Sequence, residues 1–284
     1  MSLSRLKTIK KSIGRRIYGK EVSPWPDLSY PGVDLTYWRP KIGVNFGDEL
    51  SRIIVNLILA RRGMTFFDET SKQRDLLAIG SILHLANEGA TVWGTGANVS
   101  GFSREYLFSH LDIRALRGPL TAEFLFREKG IKSPEVYGDP GLLLPFVTGE
   151  RFQRSSKMEV GFVPNLNDDM AIIAEQLKQV DNVVLIDPKQ SWNVCVRKIL
   201  ECNFIVSSSL HGLVIADAWN IPCRYVRISE HEGIFKYKDY YAGTGRSDFE
   251  YASNIREAIM MSGMGPHQCD LAALLESFPY DLWS

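Results

Sequence analysis

Residues 204–222, FIVSSSLHGLVIADAWNIP, bring three serines, a histidine and a glycine between an apolar strand-like run and an apolar helix. Ser207, Ser208 and Ser209 offer hydroxyls, His211 an imidazole, and Gly212 a backbone that a ligand can approach. A helix start carries about half a positive charge and unpaired N–H donors, so this turn can hold a phosphate or a carboxylate. An imidazole placed there can transfer a proton near neutral pH. In the plainer alternative the serines cap the helix and His211 is packed in the core.

Three further segments carry polar groups of the same kind. In IRALRG (113–118), Arg117 ends a strand candidate, where its guanidinium can reach a cleft and grip an oxyanion through two hydrogen bonds. Arg114 lies inside that strand and is assigned to structure. In VNFGD (44–48), Gly47 permits a tight backbone and Asp48 can cap the following helix. Alternatively Asn45 and Asp48 hydrogen-bond sugar hydroxyls, and Asp48 takes a proton from one. In VYGDPGL (136–142), Asp139 precedes a proline in an extended or turned segment, which suits it to orienting Arg117 or a backbone turn. Gly80-Ser81 and the GTG of 94–96 also follow apolar runs, as loops that let a ligand near the backbone. Neither matches a dinucleotide fingerprint or an ATP phosphate loop.

These segments need a frame, and the hydropathy pattern supplies one. Apolar strand candidates at 76–81, 91–94, 113–116, 160–163, 183–186, 204–207 and 224–228 alternate with helical patterns. The helices fall at 48–62, 119–129, 168–179, 191–201 and 212–220, with two more near 254–261 and 269–277. Such alternation predicts a parallel α/β sheet protein. Residues 19–40 read as an irregular connection, and the polar run at 148–158 as a boundary. The predicted organisation is a basic N-terminal segment (1–40) and two α/β domains (41–150 and 151–284). Two doubly wound, Rossmann-like domains facing a cleft would gather ligands at the carboxyl ends of their strands.

Composition narrows the partners. Thirty-three basic and 33 acidic residues give a formal net charge of +0, so no global field argues for nucleic acid. Cys195, Cys202, Cys223 and Cys269 form no CxxC pair and no zinc-like spacing. They are read as buried, reduced thiols in a cytoplasmic protein, and no metal site is expected. No apolar run is long enough to cross a bilayer. Residues 1–20 hold seven Lys/Arg and no acid. Their Leu3, Leu6, Ile9, Ile13 and Ile17 share one helical face, which suits contact with the inner face of an anionic membrane.

The stretches GVNFGDEL (43–50), RALRGPLTAEFL (114–125), YGDPGLL (137–143) and SSSLHGLVIADAWNIP (207–222) together resemble the polysaccharide pyruvyl transferase family. The resemblance is closest to the branch that decorates bacterial exopolysaccharides with ketals, as in succinoglycan. It implies a two-domain architecture of the GT-B kind, phosphoenolpyruvate as co-substrate with no resident cofactor, and a sugar or lipid-linked oligosaccharide as acceptor. It also implies that Arg117 and His211 bind or activate the donor, His211 as proton donor or phosphate anchor. Many members carry an arginine two residues before the histidine, where this chain has Ser209. Arg224, Arg227 and Lys236 are the candidates to supply that cation. Two other readings stay open. One is a nucleotide-sugar glycosyltransferase with Glu230 or Glu232 on a ribose; the other is a non-catalytic glycan-binding member of the family.

Overall fold

The computed structural model describes residues 29–41, 43–99, 105–155, 157–230 and 232–284. The amphipathic helix expected within 1–20 lies outside them. Eight strands form two four-stranded sheets in which every pairing is parallel. The first contains β1 (Val33–Thr36), β2 (Arg74–Leu77), β3 (Thr91–Trp93) and β4 (Asp112–Ala115) in sequential order. The second contains β5 (Met158–Val163), β6 (Val183–Leu185), β7 (Cys202–Ser207) and β8 (Cys223–Tyr225) in the order β6-β5-β7-β8. The α/β class read from the sequence therefore holds. The doubly wound expectation needs a correction: among the described strands only the second sheet reverses direction, between β5 and β7, whereas the first winds one way. Reversal leaves a crevice at the carboxyl ends of the two strands it separates.

Nine helices accompany the described strands: α1 (Phe46–Ala60), α2 (Pro119–Lys129), α3 (Leu144–Thr148), α4 (Met170–Leu177) and α5 (Trp192–Leu200), then α6 (Leu210–Ala218), α7 (Phe235–Gly243), α8 (Ile255–Met260) and α9 (Leu271–Glu276). Their starts follow local chemistry. Pro119 opens α2, where a missing N–H costs nothing, and Gly130 closes it in the left-handed conformation at φ 67°. Asp169, Asn254 and Asp270 cap α4, α8 and α9 by accepting from the first-turn N–H groups.

Three elements escaped the sequence pattern, among them the five-residue helix α3 that runs up to the polar stretch. β1 lies in the stretch read as an irregular connection, because four residues, VDLT, among prolines and glycines show too little alternation. The aromatic helix α7, FKYKDYYAG, shows no apolar stripe because it is enclosed by neighbours, with Tyr237, Asp239, Tyr240 and Tyr241 buried. The cysteine expectation also needs adjustment. Cys195, Cys202 and Cys223 are buried, but Cys269 is partly exposed, its thiol donating to the Tyr137 carbonyl at 3.2 Å. Cys202 opens β7.

A single buried apolar cluster joins Leu35 of β1, Ile54 and Ile58 of α1, and Leu213 and Val214 of α6. Helix α1 is the hinge of this core, touching α5 and α6 of the second half. Residues 271–283 return to the first sheet. Trp93 Nε1 donates to the Leu274 carbonyl at 2.9 Å, and its ring meets Phe278 edge-on at 4.9 Å. Arg114 is structural, as its place in the strand suggested, forking onto Asp112 and Asp281. Phe278 also stacks on Trp283, so truncating it should leave a cavity between two indoles. The Phe278→Ala variant is expected to lose about 3–5 kcal/mol of unfolding free energy in urea titration. A loss below ~1 kcal/mol would mean that this docked segment does not hold the first sheet.

Candidate active site

A pocket of about 230 Å³ opens where the two halves meet. Its wall comes from residues just beyond the carboxyl ends of five strands: Trp38 after β1, Gly80 and Ser81 after β2, Asn98 after β3, Asn165 after β5 and Ser209 after β7. Two helix starts complete it. Asn45 and Asp48 stand on the first turn of α1, and Leu210 and His211 on the first turn of α6.

Neither helix is capped by a side chain of its own. This overturns the capping expectation for Asp48 and for the serines. The residue at the cap position of α1 is Asn45, whose amide donates to Asp48 Oδ2 at 2.6 Å instead of accepting from the helix. Ser209 occupies the cap position of α6 and lines the pocket. Ser207 and Ser208 do not reach it. Ser207 Oγ sits 2.8 Å from the Val163 and Ser209 carbonyl oxygens and accepts from Ser209 N–H. Ser208 Oγ donates to the Asp168 carboxylate and accepts from Asn165 N–H. Both therefore spend their hydroxyls on shaping the turn. Gly212 is likewise internal, since a Cβ there would come within 2.3 Å of Ser207 Oγ.

Gly47 has a different purpose from the tight turn expected of it. A Cβ at this position would lie 2.2 Å from His211 Nδ1, so only a glycine lets the imidazole lie across the start of α1. His211 is 7% exposed. Its Nε2 is sealed, has no hydrogen-bond partner, and lies 3.9 Å from Asp139 Oδ2, which is equally sealed and unpartnered. Burial drives the imidazole down to about 3, with Lys236 and Arg117 pushing the same way. An imidazole held there is neutral at physiological pH.

Asp139, expected among the substrate-binding residues, is fully buried and lies outside the pocket wall. Its Oδ1 accepts from Gly141 N–H at 2.8 Å. Burial raises its carboxyl to about 6, against the lowering effects of that hydrogen bond and of Arg117. Asp48 does face the pocket, and burial raises it to about 7, opposed by the Asn45 amide and the Lys236 charge. A carboxyl at that value exchanges its proton near neutrality. Lys236 lines the pocket in an ion pair with Glu232. Among the described wall residues it is the only Lys or Arg. No cluster of His, Cys, Asp and Glu able to hold a metal occurs among the described residues.

Arg117 and His211, both assigned to the donor by the resemblance, do not share the pocket wall. Arg117 is 0% exposed and stands one layer behind the wall. Its Nε donates to Asp239 Oδ2 at 2.9 Å, its Nη2 to the Ala97 carbonyl at 3.1 Å, and its Nη1 to Ser81 Oγ. Asp239 also accepts from Thr121 N–H and Oγ1, so this one carboxylate ties the start of α2 to α7. The guanidinium is thus taken up by a fully buried carboxylate, and Ser81 stands between it and the pocket. The GTG loop serves the same pair: a Cβ at Gly96 would sit 2.2 Å from Arg117 Cζ. Arg224 is structural too, spent on the Ser262 and Met261 carbonyls and Met264 Sδ. Arg227 donates to the Glu230 carbonyl and is not in the wall. Of the three cations considered as substitutes, the structure brings Lys236 alone to the pocket.

Sequence reasoning did not pick out Trp38, Asn98, Asn165, Asn167 or Asp239 as site residues. Position after a strand end was the available signal for the first three, and nothing local marks Asp239.

Residues 22–230 match the family model described as polysaccharide pyruvyl transferase. The succinoglycan biosynthesis protein ExoV of Rhizobium meliloti (strain 1021) is 28% identical over 213 residues, 72% of this chain and 62% of that protein. The uncharacterized protein L143 of Acanthamoeba polyphaga mimivirus is 25% identical over 187 residues, 65% of this chain and 64% of that protein. The chain thus spans less than two thirds of the length of these relatives.

The burial of Arg117 converts into a stability prediction. Removing one member of a buried ion pair leaves the other uncompensated, at a cost of about 3–5 kcal/mol. Both Arg117→Ala and Asp239→Ala should show that loss in denaturant unfolding. An unfolding midpoint unchanged in either variant would return Arg117 to the list of ligand-binding residues.

Proposed function

Since the chain belongs to the polysaccharide pyruvyl transferase family, we propose that it transfers pyruvate from phosphoenolpyruvate onto two hydroxyls of a sugar, as a ketal, during synthesis of a bacterial exopolysaccharide. The observation that carries this reading is the convergence of two uncapped helix starts and Lys236 around Asp48, a carboxyl raised to about 7. Phosphoenolpyruvate brings two anions, a phosphate and a carboxylate, and each helix start offers free N–H donors with about half a positive charge. Lys236 adds a full one.

The chemistry then assigns roles. Protonated Asp48 delivers its proton to C3 of phosphoenolpyruvate, turning the methylene into a methyl and leaving C2 electron-poor. A sugar hydroxyl oxygen bonds to C2, its proton passing to neutral His211 and on to the departing phosphate. The C2–O bond to phosphate breaks as the second hydroxyl closes the ring, and its proton restores Asp48. The products are a carboxylated ketal and inorganic phosphate. Donors fixed in place around the developing charge would supply much of the acceleration. Asn45, Asn98, Asn165 and Asn167 offer amides to the acceptor's hydroxyls, and Trp38 a flat face for its ring.

The wall drawn from both halves fits a two-domain, GT-B-like cleft, with the division near 148–158. No described helix is long and apolar enough to cross a membrane. We read the site as cytoplasmic, with residues 1–20 as a peripheral contact on the inner membrane face. Glu232 lines the same pocket, which keeps a nucleotide-sugar glycosyltransferase as the second reading. Its ion pair with Lys236 weighs against that, because a ribose would have to compete with the ammonium.

Incubation with phosphoenolpyruvate and a sugar diol should release inorganic phosphate and yield a ketal. Release of a nucleoside diphosphate from a nucleotide sugar would favour the second reading instead. The Asp48→Asn variant should lose about 10²–10⁴-fold in kcat. Because Asp48 acts protonated, wild-type kcat should fall as pH rises through about 7. The same carboxyl has a stability signature. A raised pKa stabilises the fold only while the group holds its proton, so that contribution vanishes as pH rises through about 7. Asp48→Asn should therefore melt higher than wild type at about pH 8 and alike at about pH 4. Equal melting curves at both pH values would mean that Asp48 is solvated and not poised.

A further inference from the structure

His211 and Asp139 form a pair that the proposed chemistry leaves unexplained. Their facing atoms, Nε2 and Oδ2, are both sealed from solvent, both without a hydrogen-bond partner, and 3.9 Å apart. A buried polar atom left unpaired costs about 1–3 kcal/mol, so two orphans aimed at each other call for a reason. Asp139 is held rigidly: its Oδ1 is fixed by Gly141 N–H, and a Cβ at Gly141 would lie 3.0 Å from that oxygen. His211 is held from the other side by the bare backbone of Gly47. A rotation of less than ~1 Å at the imidazole closes the gap to hydrogen-bond distance, and such bonds are often long before substrate arrives.

We infer that Asp139 is a positioning residue that keeps the His211 proton on Nε2 and so leaves Nδ1, which lies against Gly47 at the start of α1, as the basic nitrogen. A carboxylate accepts and cannot donate, so the nitrogen facing it must carry the hydrogen. The charged groups acting on His211 besides Asp139 are Lys236 and Arg117. Both oppose a second proton, which agrees with a neutral imidazole of one fixed tautomer. In the proposed reaction, Nδ1 takes the proton from the first attacking hydroxyl as its oxygen bonds to C2, and passes it to the phosphate oxygen as the C2–O bond breaks. Asp139 holds the imidazolium between those events without gaining a proton itself.

The inference rests on pyruvyl transfer for its kinetic arm only, so the test has two arms. In the full chain carrying ¹⁵N-labelled histidine, long-range proton–nitrogen correlation reads the tautomer, with the His211 signals assigned by their loss in His211→Gln. Wild type should show the Nε2–H form. Asp139→Asn keeps an oxygen for Gly141 N–H but presents an amide donor to Nε2, so it should switch the ring to the Nδ1–H form. It should also lose about 10²–10⁴-fold in kcat with little change in KM for phosphoenolpyruvate. Should Asp139→Asn fail to fold, Asp139→Ser retains an acceptor for Gly141 and removes the second oxygen. In that variant the fixed tautomer should give way to a mixture. A wild-type Nδ1–H form, or a tautomer unchanged in the folded variants, overturns the assignment. Absence of any wild-type turnover of phosphoenolpyruvate would instead count against the transferase reading, with the tautomer still decided by the first arm.

Discussion

Everything at the site depends on the imidazole of His211 lying directly on the backbone of Gly47. The contact joins the first turn of one helix to the first turn of another, from opposite halves of the chain, with no side chain between them. It brings two positive helix ends to one place, an arrangement that is unfavourable without an anion and favourable with one. The strands behind them are arranged to tolerate it. Each helix start follows a turn whose hydrogen bonds are already satisfied: Phe46 N–H by the Pro188 carbonyl, and the 207–209 turn by Ser207 and Val163.

Around that contact the protein sorts its charges by depth. The full ion pair, Arg117 with Asp239, is placed where no solvent reaches and where it fastens α2 to α7. Closer to the pocket the groups are held near or away from neutrality by burial: His211 stripped of charge, Asp139 and Asp48 pushed up. Only Lys236 with Glu232 keeps a charged pair in the wall itself. This gradient explains why an arginine that looked like a ligand from its place at a strand end became a tie beam. The guanidinium is held by Asp239 and the Ala97 carbonyl, and only its Nη1, through Ser81, touches a residue of the wall.

The α/β class, seven of eight described strands and the order of most helices were legible because parallel sheets leave apolar runs separated by amphipathic helices. β1 was not, being four residues long, nor was α7, whose buried face is built from tyrosines and an aspartate. At the site, the roles of Asn45, Asp48, Ser209 and His211 as pocket residues were readable from their positions after strands and at helix starts, whereas Lys236 was one of three cations weighed only as a substitute for the family arginine. What stayed hidden was depth. Sequence marks Arg117, Arg224, Ser207, Ser208 and Asp139 as polar, and it cannot say that partners far along the chain enclose them. Asp239 lies 122 positions from Arg117, a separation over which no local pattern carries information. Glycine was similarly ambiguous: Gly47 and Gly96 are demanded by a neighbour's side chain and not by their own dihedral angles.

The return of residues 271–283 to the first sheet has a consequence for how the protein comes to be folded. Trp93 sits in the first third of the chain, yet its nitrogen and its ring face wait for Leu274 and Phe278. During synthesis the front sheet can be complete in sequence long before it is closed. Until residues 274 and 278 have been made, the indole lacks both of those partners, the first of them 181 positions away along the chain. Domains ordinarily mature in the order in which they are made. Here the first sheet takes two contacts from a segment made much later, so those contacts wait on the second half of the chain.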